Sequence, residues 1–398
     1  MTHDAPAALP LLAYVAALIL GGSYRDACGI AIVALLLIAL KRPRAAVVAF
    51  AFAGGLFVAA HRETVRIAND AILARIDPER FVTIEVPLEA DWSARGDHSI
   101  LRVEAFSRPL LIYARFPPPP IGMATTLRAE GFLRDGALTI KSPALMSYRG
   151  ELARWNPRRW NRALVARVRP LANEHPVEEA LVEALALGRA ERLDDATRDD
   201  YKRGGTYHLL VFSGLQIAIA AGFIALLLRW LHAPRTSDWS LLAFAVLAPL
   251  FIGPTASVSR ASIGVGVYAL ARILRRPTTL ENLWCAGALL WLIVAPEDLG
   301  DPAFHLTYAG SGALLFMARR TRWFIAAAAA ELAVTPLTLF HFHQYALGGS
   351  IMTLLLTPLV VAMLVVSLAV CAIPSPHVLA VLGALHRACT FLNNLAAP

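Results

Sequence analysis

The apolar residues of this chain are bunched into long runs. Stretches such as Leu241–Leu250, Ala286–Ala295 and Ile351–Ile373 hold almost no charge. Such runs suit helices with apolar surroundings on every side. Three apolar segments come first, at about Leu9–Gly22, Ala27–Leu40 and Ala45–Ala60, each shorter than the ~20 residues of a straight membrane span. Further spans are expected near Tyr207–Leu231, Trp239–Ile252, Ser259–Leu274, Leu283–Ala295, Phe304–Ala318, Trp323–Phe342, Ile351–Ile373 and Val378–Ala396. The pattern predicts a polytopic α-helical membrane protein with about 11 membrane segments.

Between these blocks the pattern changes. Short runs at Phe81–Val86, Ser99–Phe106, Leu110–Phe116, Ala124–Phe132 and Ala137–Ser142 are rich in Val, Ile, Leu, Thr and Phe and punctuated by Gly, Pro and Asp, which predicts strands. Arg134-Asp135-Gly136 suits a hairpin turn, and Pro117–Pro120 form a stiff extended linker. Strands of this number and length suggest a small inserted barrel or sandwich, an OB-like barrel being one candidate. Arg149–Arg169 follows, arginine-rich and carrying Trp155 and Trp160. Its helical part has the composition of a helix lying in the headgroup plane. A polar helical stretch, Val177–Arg203, leads back to the apolar block. The expected domains are 1–60, N-terminal membrane helices; 61–148, the OB-like domain; 149–205, an amphipathic and polar helical linker; and 206–398, a second membrane domain.

Composition agrees. The chain is 57% hydrophobic and 17% charged, with a mean hydropathy of +0.55, which excludes an ordinary soluble domain. No Lys or Arg precedes Arg25, so the first run lacks the positive flank of a signal peptide and is expected to stay as a membrane helix. The formal net charge of +8 fits basic cytoplasmic loops or a polyanionic partner. With Lys41-Arg42-Pro43-Arg44 placed in the cytoplasm, Arg229/Arg235, Arg272/Arg275/Arg276 and Arg319/Arg320/Arg322 also fall inside. Residues 61–205 and the acidic loop Glu297–Asp301 then fall outside. Cys28, Cys285, Cys371 and Cys389 are far apart, show no zinc or redox spacing and read as packing residues.

Four stretches could carry function. Gly204–Ile217 opens a span with small and polar residues. His208 and Ser213, five apart, lie on different faces of a regular helix, so a Ser–His nucleophile pair is not supported. Gly253–Ser262 breaks a helix and contains Arg260, the lone formal charge between Asp238 and Arg272. An arginine there faces a bundle interior or a water-filled path and matches phosphate geometry. Phe304–Gly310 sets polar groups, among them His305, at the start of a span. Glu331 is an acid in an apolar helix that Pro336 should kink, and it is a candidate counter-charge for Arg260. His341-Phe342-His343 resembles a metal-binding fragment but has no carboxylates nearby in sequence, so no metal is expected.

With these stretches the chain resembles the ComEC family of competence proteins. Members carry H-L-L-x-x-S-G-L-H at a helix start; here it reads His208-Leu209-Leu210-Val211-Phe212-Ser213-Gly214-Leu215-Gln216. A small-residue turn before Arg-Ala matches Ser259-Arg260-Ala261. F-Q-L-S-F is matched by Phe304-His305-Leu306-Thr307-Tyr308, and a Pro-containing helix by Pro336 to Phe342. Leu187-Gly188-Arg189 fits an upstream Leu-Gly motif. The resemblance covers about 180–398. It implies an inner-membrane channel that takes up single-stranded DNA during transformation, with His208, Ser213, Gly214, Gln216, Arg260, His305 and Glu331 lining the path. Gln216 stands where members usually have His, and His305, Thr307 and Tyr308 also depart from the pattern. The metallo-β-lactamase-like domain of many members is not found, and no H-x-H-x-D-H occurs in the chain. Nuclease activity is therefore not expected, and no cofactor is implied.

Under this reading the external basic domain receives the strand by phosphate contact and stacking. Trp92, Phe106, Tyr113, Phe116 and Phe132 are candidate stacking residues, most of them more suited to a core. Arg154, Arg158, Arg159 and Arg162 would contact DNA or membrane lipids. No P-loop occurs, so a motor, a nuclease and a DNA receptor are expected on other chains. Broken helices and an Arg/Glu pair also suit a secondary transporter for a smaller anion, although no internal repeat is evident. A non-transporting scaffold is a third reading.

Overall fold

The computed structural model describes residues 7–21, 27, 30, 43–73, 81–88, 92–95, 98–105, 108–116, 118, 121–134, 137–231, 234–253, 255–276, 278–318, 321–343 and 349–396. Within them the protein is mostly helical and carries one small mixed sheet. It forms two compact units. One comprises Met1–Ala68, Ala220–Ala245 and Arg260–Tyr345; the other comprises Asn69–Ile219, Val246–Ser259 and Ala346–Pro398.

The first unit begins with α1 (Ala8–Leu20) and α2 (Pro43–Leu73). Helix α2 covers the expected third span and then continues past the expected boundary at His61. Its extension is polar and helix-compatible, with Glu63 and Arg66 paired at 2.8 Å one turn apart. The expected segment Ala27–Leu40 lies almost wholly outside the described residues. Tyr14 of α1 is buried and donates to the Leu292 carbonyl at 3.1 Å.

The second unit holds the sheet: β1 (Phe81–Pro87), β2 (Ser93–Arg95), β3 (His98–Ala105), β4 (Arg108–Ala114), β5 (Thr126–Arg134), β6 (Ala137–Ile140) and β7 (Met146–Arg149). Hydrogen-bonded order is β1-β5-β6-β4-β3-β2, with β7 on β5. The β4–β6 pair is parallel and the others are antiparallel. Five strands match expectation to within two residues at each end, whereas β2 and β7 are additional. The expected turn residues Asp135 and Gly136 lie outside the described residues, but their flanks pair antiparallel, Arg134 opposite Ala137. The order ends on β1 and β2, and no ladder joins those two among the described residues. The described residues thus show a small mixed sheet, and closure into the expected OB-like barrel is not shown among them. Alternation drives it: Ile84, Val86, Leu101, Ile112, Leu127, Leu138 and Ile140 are buried on one face. Gly131 is required on β5 because a Cβ there would strike the Thr139 carbonyl of β6.

Helix α3 (Pro157–Val168) starts where Asn156 accepts from the Arg158 amide at 2.9 Å and Pro157 takes the first helical position. Helix α4 (Pro176–Leu187) stops at Gly188, φ +74°. Helix α5 (Asp195–Arg203) is capped by Asp194. Then come α6 (Gly214–Trp230), α7 (Pro234–Ile252), α8 (Ala256–Ile273), α9 (Leu280–Val294), α10 (Pro302–Ala318), α11 (Trp323–Phe342), α12 (Gly349–Ala372) and α13 (Pro376–Ala396). In the second unit α4, α12 and α13 share a core that includes Leu181, Leu185, Met363, Leu379 and Leu382. Among the described residues one helix is long and apolar enough to cross a membrane by length and composition, over Leu355–Ala372; the apolar parts of α1, α6, α7, α9 and α11 are shorter.

Candidate functional site

The stretch expected to open a span at Tyr207 is a string of turns. Tyr207–Leu209 form a single 3-10 turn, and regular helix begins only at Gly214. Ser213 is the N-cap and Gln216 sits three residues in, which makes a capping box. The Gln216 Oε1 accepts the Ser213 amide at 2.6 Å and the Ser213 hydroxyl at 2.5 Å, while the Leu215 amide donates to Ser213 Oγ at 3.3 Å. Gln216 is buried, and its Nε2 donates to the Leu209 carbonyl at 3.3 Å. The residue that departs from the expected His is therefore an integral part of the helix start. The Ser-x-x-Gln spacing was visible in the sequence.

Around it the second unit is close-packed. A cavity of about 10 Å³ lies beside Ser213, Gln216, Thr357, Val360 and Leu364, room for one water at most. His208 stands apart from Ser213 and has its Nε2 3.5 Å from the Thr353 hydroxyl. Upstream, Gly205 takes φ +71°. Asn393 of α13 accepts from Thr206 Oγ1 at 2.9 Å and donates to the Asp200 carbonyl at 2.5 Å. Gly204 leaves the space that Asn393 occupies.

In the first unit Arg260 of α8 is buried. Its Nη1 meets Asp298 Oδ2 at 3.1 Å, and its Nη2 donates to the Ala303 carbonyl and Thr307 Oγ1, both at 3.3 Å. Trp291 Nε1 donates to the same Asp298 oxygen at 2.7 Å, and the Trp291 ring centre lies 6.0 Å from the guanidinium. The expected pairing with Glu331 is thus replaced. The turn Pro296–Gly300 brings Asp298, read from sequence as part of an external loop, to the arginine. Glu331 lies half-buried on α11.

His305 of α10 has Nε2 2.7 Å from the Leu299 carbonyl and Nδ1 3.2 Å from His341 Nε2. With Nε2 carrying the proton toward Leu299, Nδ1 accepts from His341. No group of three or more potential metal-ligating side chains occurs among the described residues.

The arginines of the linker divide. Arg154 is exposed and Arg158 half-buried, next to Trp155 and Trp160, which are 80% and 55% exposed. Arg159 is engaged by Glu151 and the Leu152 carbonyl, each at 2.7 Å. Arg162 is not the expected surface contact. It is buried and donates to the carbonyls of Gly122, Ala124 and Leu88, fastening α3 to the sheet. Trp92 donates to the Tyr148 hydroxyl at 2.8 Å and Phe116 packs on the sheet core. Phe106 lies outside the described residues.

One acid pair escaped the sequence reading. Glu179 and Glu183, one turn apart on α4, are fully buried. Arg192 lies 3.5 and 3.7 Å from them, and Arg169 lies 3.6 Å from Glu183. Burial, then the hydrogen bond and charge of Glu183, push the Glu179 carboxyl up to about 8. The i, i+4 acids were legible, but Val177–Arg203 is polar enough overall to suggest an exposed helix.

These features define a mostly helical protein with capped, interrupted helix starts and a small sheet domain. Residues 185–397 match the family described as Competence protein. The chain is 28% identical over 192 residues to ComE operon protein 3 of Bacillus subtilis (strain 168), a match covering 46% of this chain and 25% of that protein. The chain thus spans about a quarter of that relative's length. No solved structure matches the chain. The chain belongs to the competence protein family, the ComEC resemblance read from its motifs.

Proposed function

We propose that this protein is a multi-pass inner-membrane component of a channel that takes up single-stranded DNA during natural transformation. The family match over 185–397 carries the reading, because it spans the stretches holding His208, Ser213–Gln216, Arg260 and His305 in order. Membrane residence is supported by helix faces that water would not tolerate. Leu12, Ile19, Phe223, Leu226, Leu332 and Phe340 are each more than 60% exposed. The apolar helices outnumber the one that meets a strict length test, and shorter ones span where they tilt little or borrow flanking residues.

Residues 61–205 face the extracytoplasmic side in this proposal. Helix α3 lies at the lipid surface: Arg167 donates at 3.0 Å to the carbonyl of Ala372, the last residue of the apolar span, and Trp155 and Trp160 lie among arginines. Arg260 acts by holding helices, since most of its donors are already engaged. The chain conducts and does not cut; a motor, a nuclease and a receptor would be separate chains. Fluorescent donor DNA supplied to a deletion strain tests this. Cytoplasmic uptake should be lost and then restored by the wild-type gene. Undiminished uptake in the deletion strain would end the proposal.

A further inference from the structure

Helices α10 and α11 of the first unit pack side by side as a hairpin. Gly310 of α10 faces Val334 of α11, whose Cγ2 a Cβ at 310 would meet at 3.0 Å. The same antiparallel arrangement carries His305, at the start of α10, to His341, in the last turn of α11. His305 Nδ1 and His341 Nε2 are 3.2 Å apart, with the ring planes inclined by 28°. Both rings are half-buried. The fragment His341-Phe342-His343 thus finds its partner 36 residues upstream of His341. His343 is exposed and ends the helix at φ +55°.

The Leu299 carbonyl, 2.7 Å from His305 Nε2, can only accept. It holds the proton on Nε2 and leaves the Nδ1 lone pair aimed across the hairpin. Metal-binding imidazoles are oriented in this way: one nitrogen donates to a fixed oxygen and the other faces the ion. His341 need only carry its proton on Nδ1 for its Nε2 lone pair to point to the same place. Two nitrogens, each roughly 2.0–2.1 Å from one tetrahedral ion, stand about 3.3 Å apart. The observed 3.2 Å fits that separation without moving either helix.

We infer that His305 and His341 form a binding site for a transition-metal ion of the Zn2+, Ni2+ or Cu2+ class. The inference does not depend on the proposed uptake function. Imidazole nitrogen selects these ions over Mg2+ and Ca2+, which take oxygen ligands. Two protein nitrogens leave the other coordination positions to water, which reaches the pair because neither ring is fully buried. Glu297, in the same turn as Leu299, adds negative charge beside the site. The bound ion ties α10 to α11 and, through the Leu299 carbonyl, to the turn Pro296–Gly300. Asp298 of that turn holds Arg260, so the ion stiffens the first unit around its buried ion pair.

The test uses the full chain in detergent micelles, purified without a histidine tag, and zinc chloride. The thermal midpoint of tryptophan fluorescence should rise by about 5 °C at a Zn2+ concentration a hundredfold above Kd, and Mg2+ should leave it unmoved. His305→Gln and His341→Gln should each weaken Zn2+ binding at least about tenfold, while His343→Gln should bind like wild type. With one equivalent of Cu2+, electron paramagnetic resonance should show two bound imidazole nitrogens in the wild type and one in either single variant. Should a variant fail to fold, the wild-type copper spectrum decides, and fewer than two imidazoles overturns the site. Unaltered Zn2+ affinity in His305→Gln/His341→Gln would overturn it as well. So would no binding by the wild type at millimolar Zn2+, which leaves the pair a plain hydrogen bond. Equal losses in His343→Gln and His341→Gln would put the ion on the helix end and overturn the pairing across the hairpin. None of these outcomes bears on uptake, which the deletion strain tests.

Discussion

Arg162 and Arg260 are both buried, yet each unit holds its arginine differently. Arg260 faces a carboxylate, Asp298, which a tryptophan also holds. Among the described residues Arg162 donates to carbonyls of the sheet connections. A charge paired with a charge is a mutual dependence, because removing either leaves the other buried and uncompensated. The Leu88, Gly122 and Ala124 carbonyls that hold Arg162 are neutral, and when left behind they can find water at a domain surface.

The largest expected effect tests that dependence. Arg260→Ala should destabilise the first unit by about 3–5 kcal/mol, read as a drop in the thermal midpoint of tryptophan fluorescence. Adding Asp298→Ala should recover part of the loss; a strictly additive double variant would sink the pairing argument. Arg162→Ala should cost about 2–3 kcal/mol and show as faster proteolysis of residues 81–149, with the first unit's midpoint unmoved. Equal loss in both units would erase the contrast.

A third buried charge site sharpens it further. Glu179 is raised from its ordinary value of 4.5 to about 8, so the folded chain binds a proton that the unfolded chain releases near 4.5. Its stabilising contribution is complete below that pH and is lost as pH rises through about 8. The second unit should therefore melt at a lower temperature at pH 9 than at pH 5. Glu179→Gln should flatten the trend, and an identical slope in that variant would remove Glu179 as its source. The smallest effect belongs to the helix start: Gln216→Ala should cost about 1 kcal/mol, whereas Ser213→Thr, which keeps the capping hydroxyl, should cost less. Equal losses in the two would argue against the capping box.

Local rules made much of this legible. β-prone composition punctuated by turn residues located five strands, though not which face they bury, and motif order located the competence region. Short β2 and β7 were missed because three or four residues carry too little periodicity. Arg260 was recognised as needing an acid, but the wrong one was chosen. Glu331 lay in an apolar helix and looked isolated, whereas Asp298 lay in an acidic stretch that read as solvated loop. Gln216 was read as a departure although its role followed from its distance to Ser213.

The contact between Thr206 and Asn393 closes 187 residues of sequence. Chains are made at about 5–20 residues per second, so the Gly204–Thr206 turn emerges roughly 10 to 40 s before the helix that completes it. For that interval the newborn second unit holds α4 without α12 or α13, its buried acids facing a half-built wall. A chaperone or insertase that shields α4 during those seconds would matter more to the yield of this protein than to its final stability.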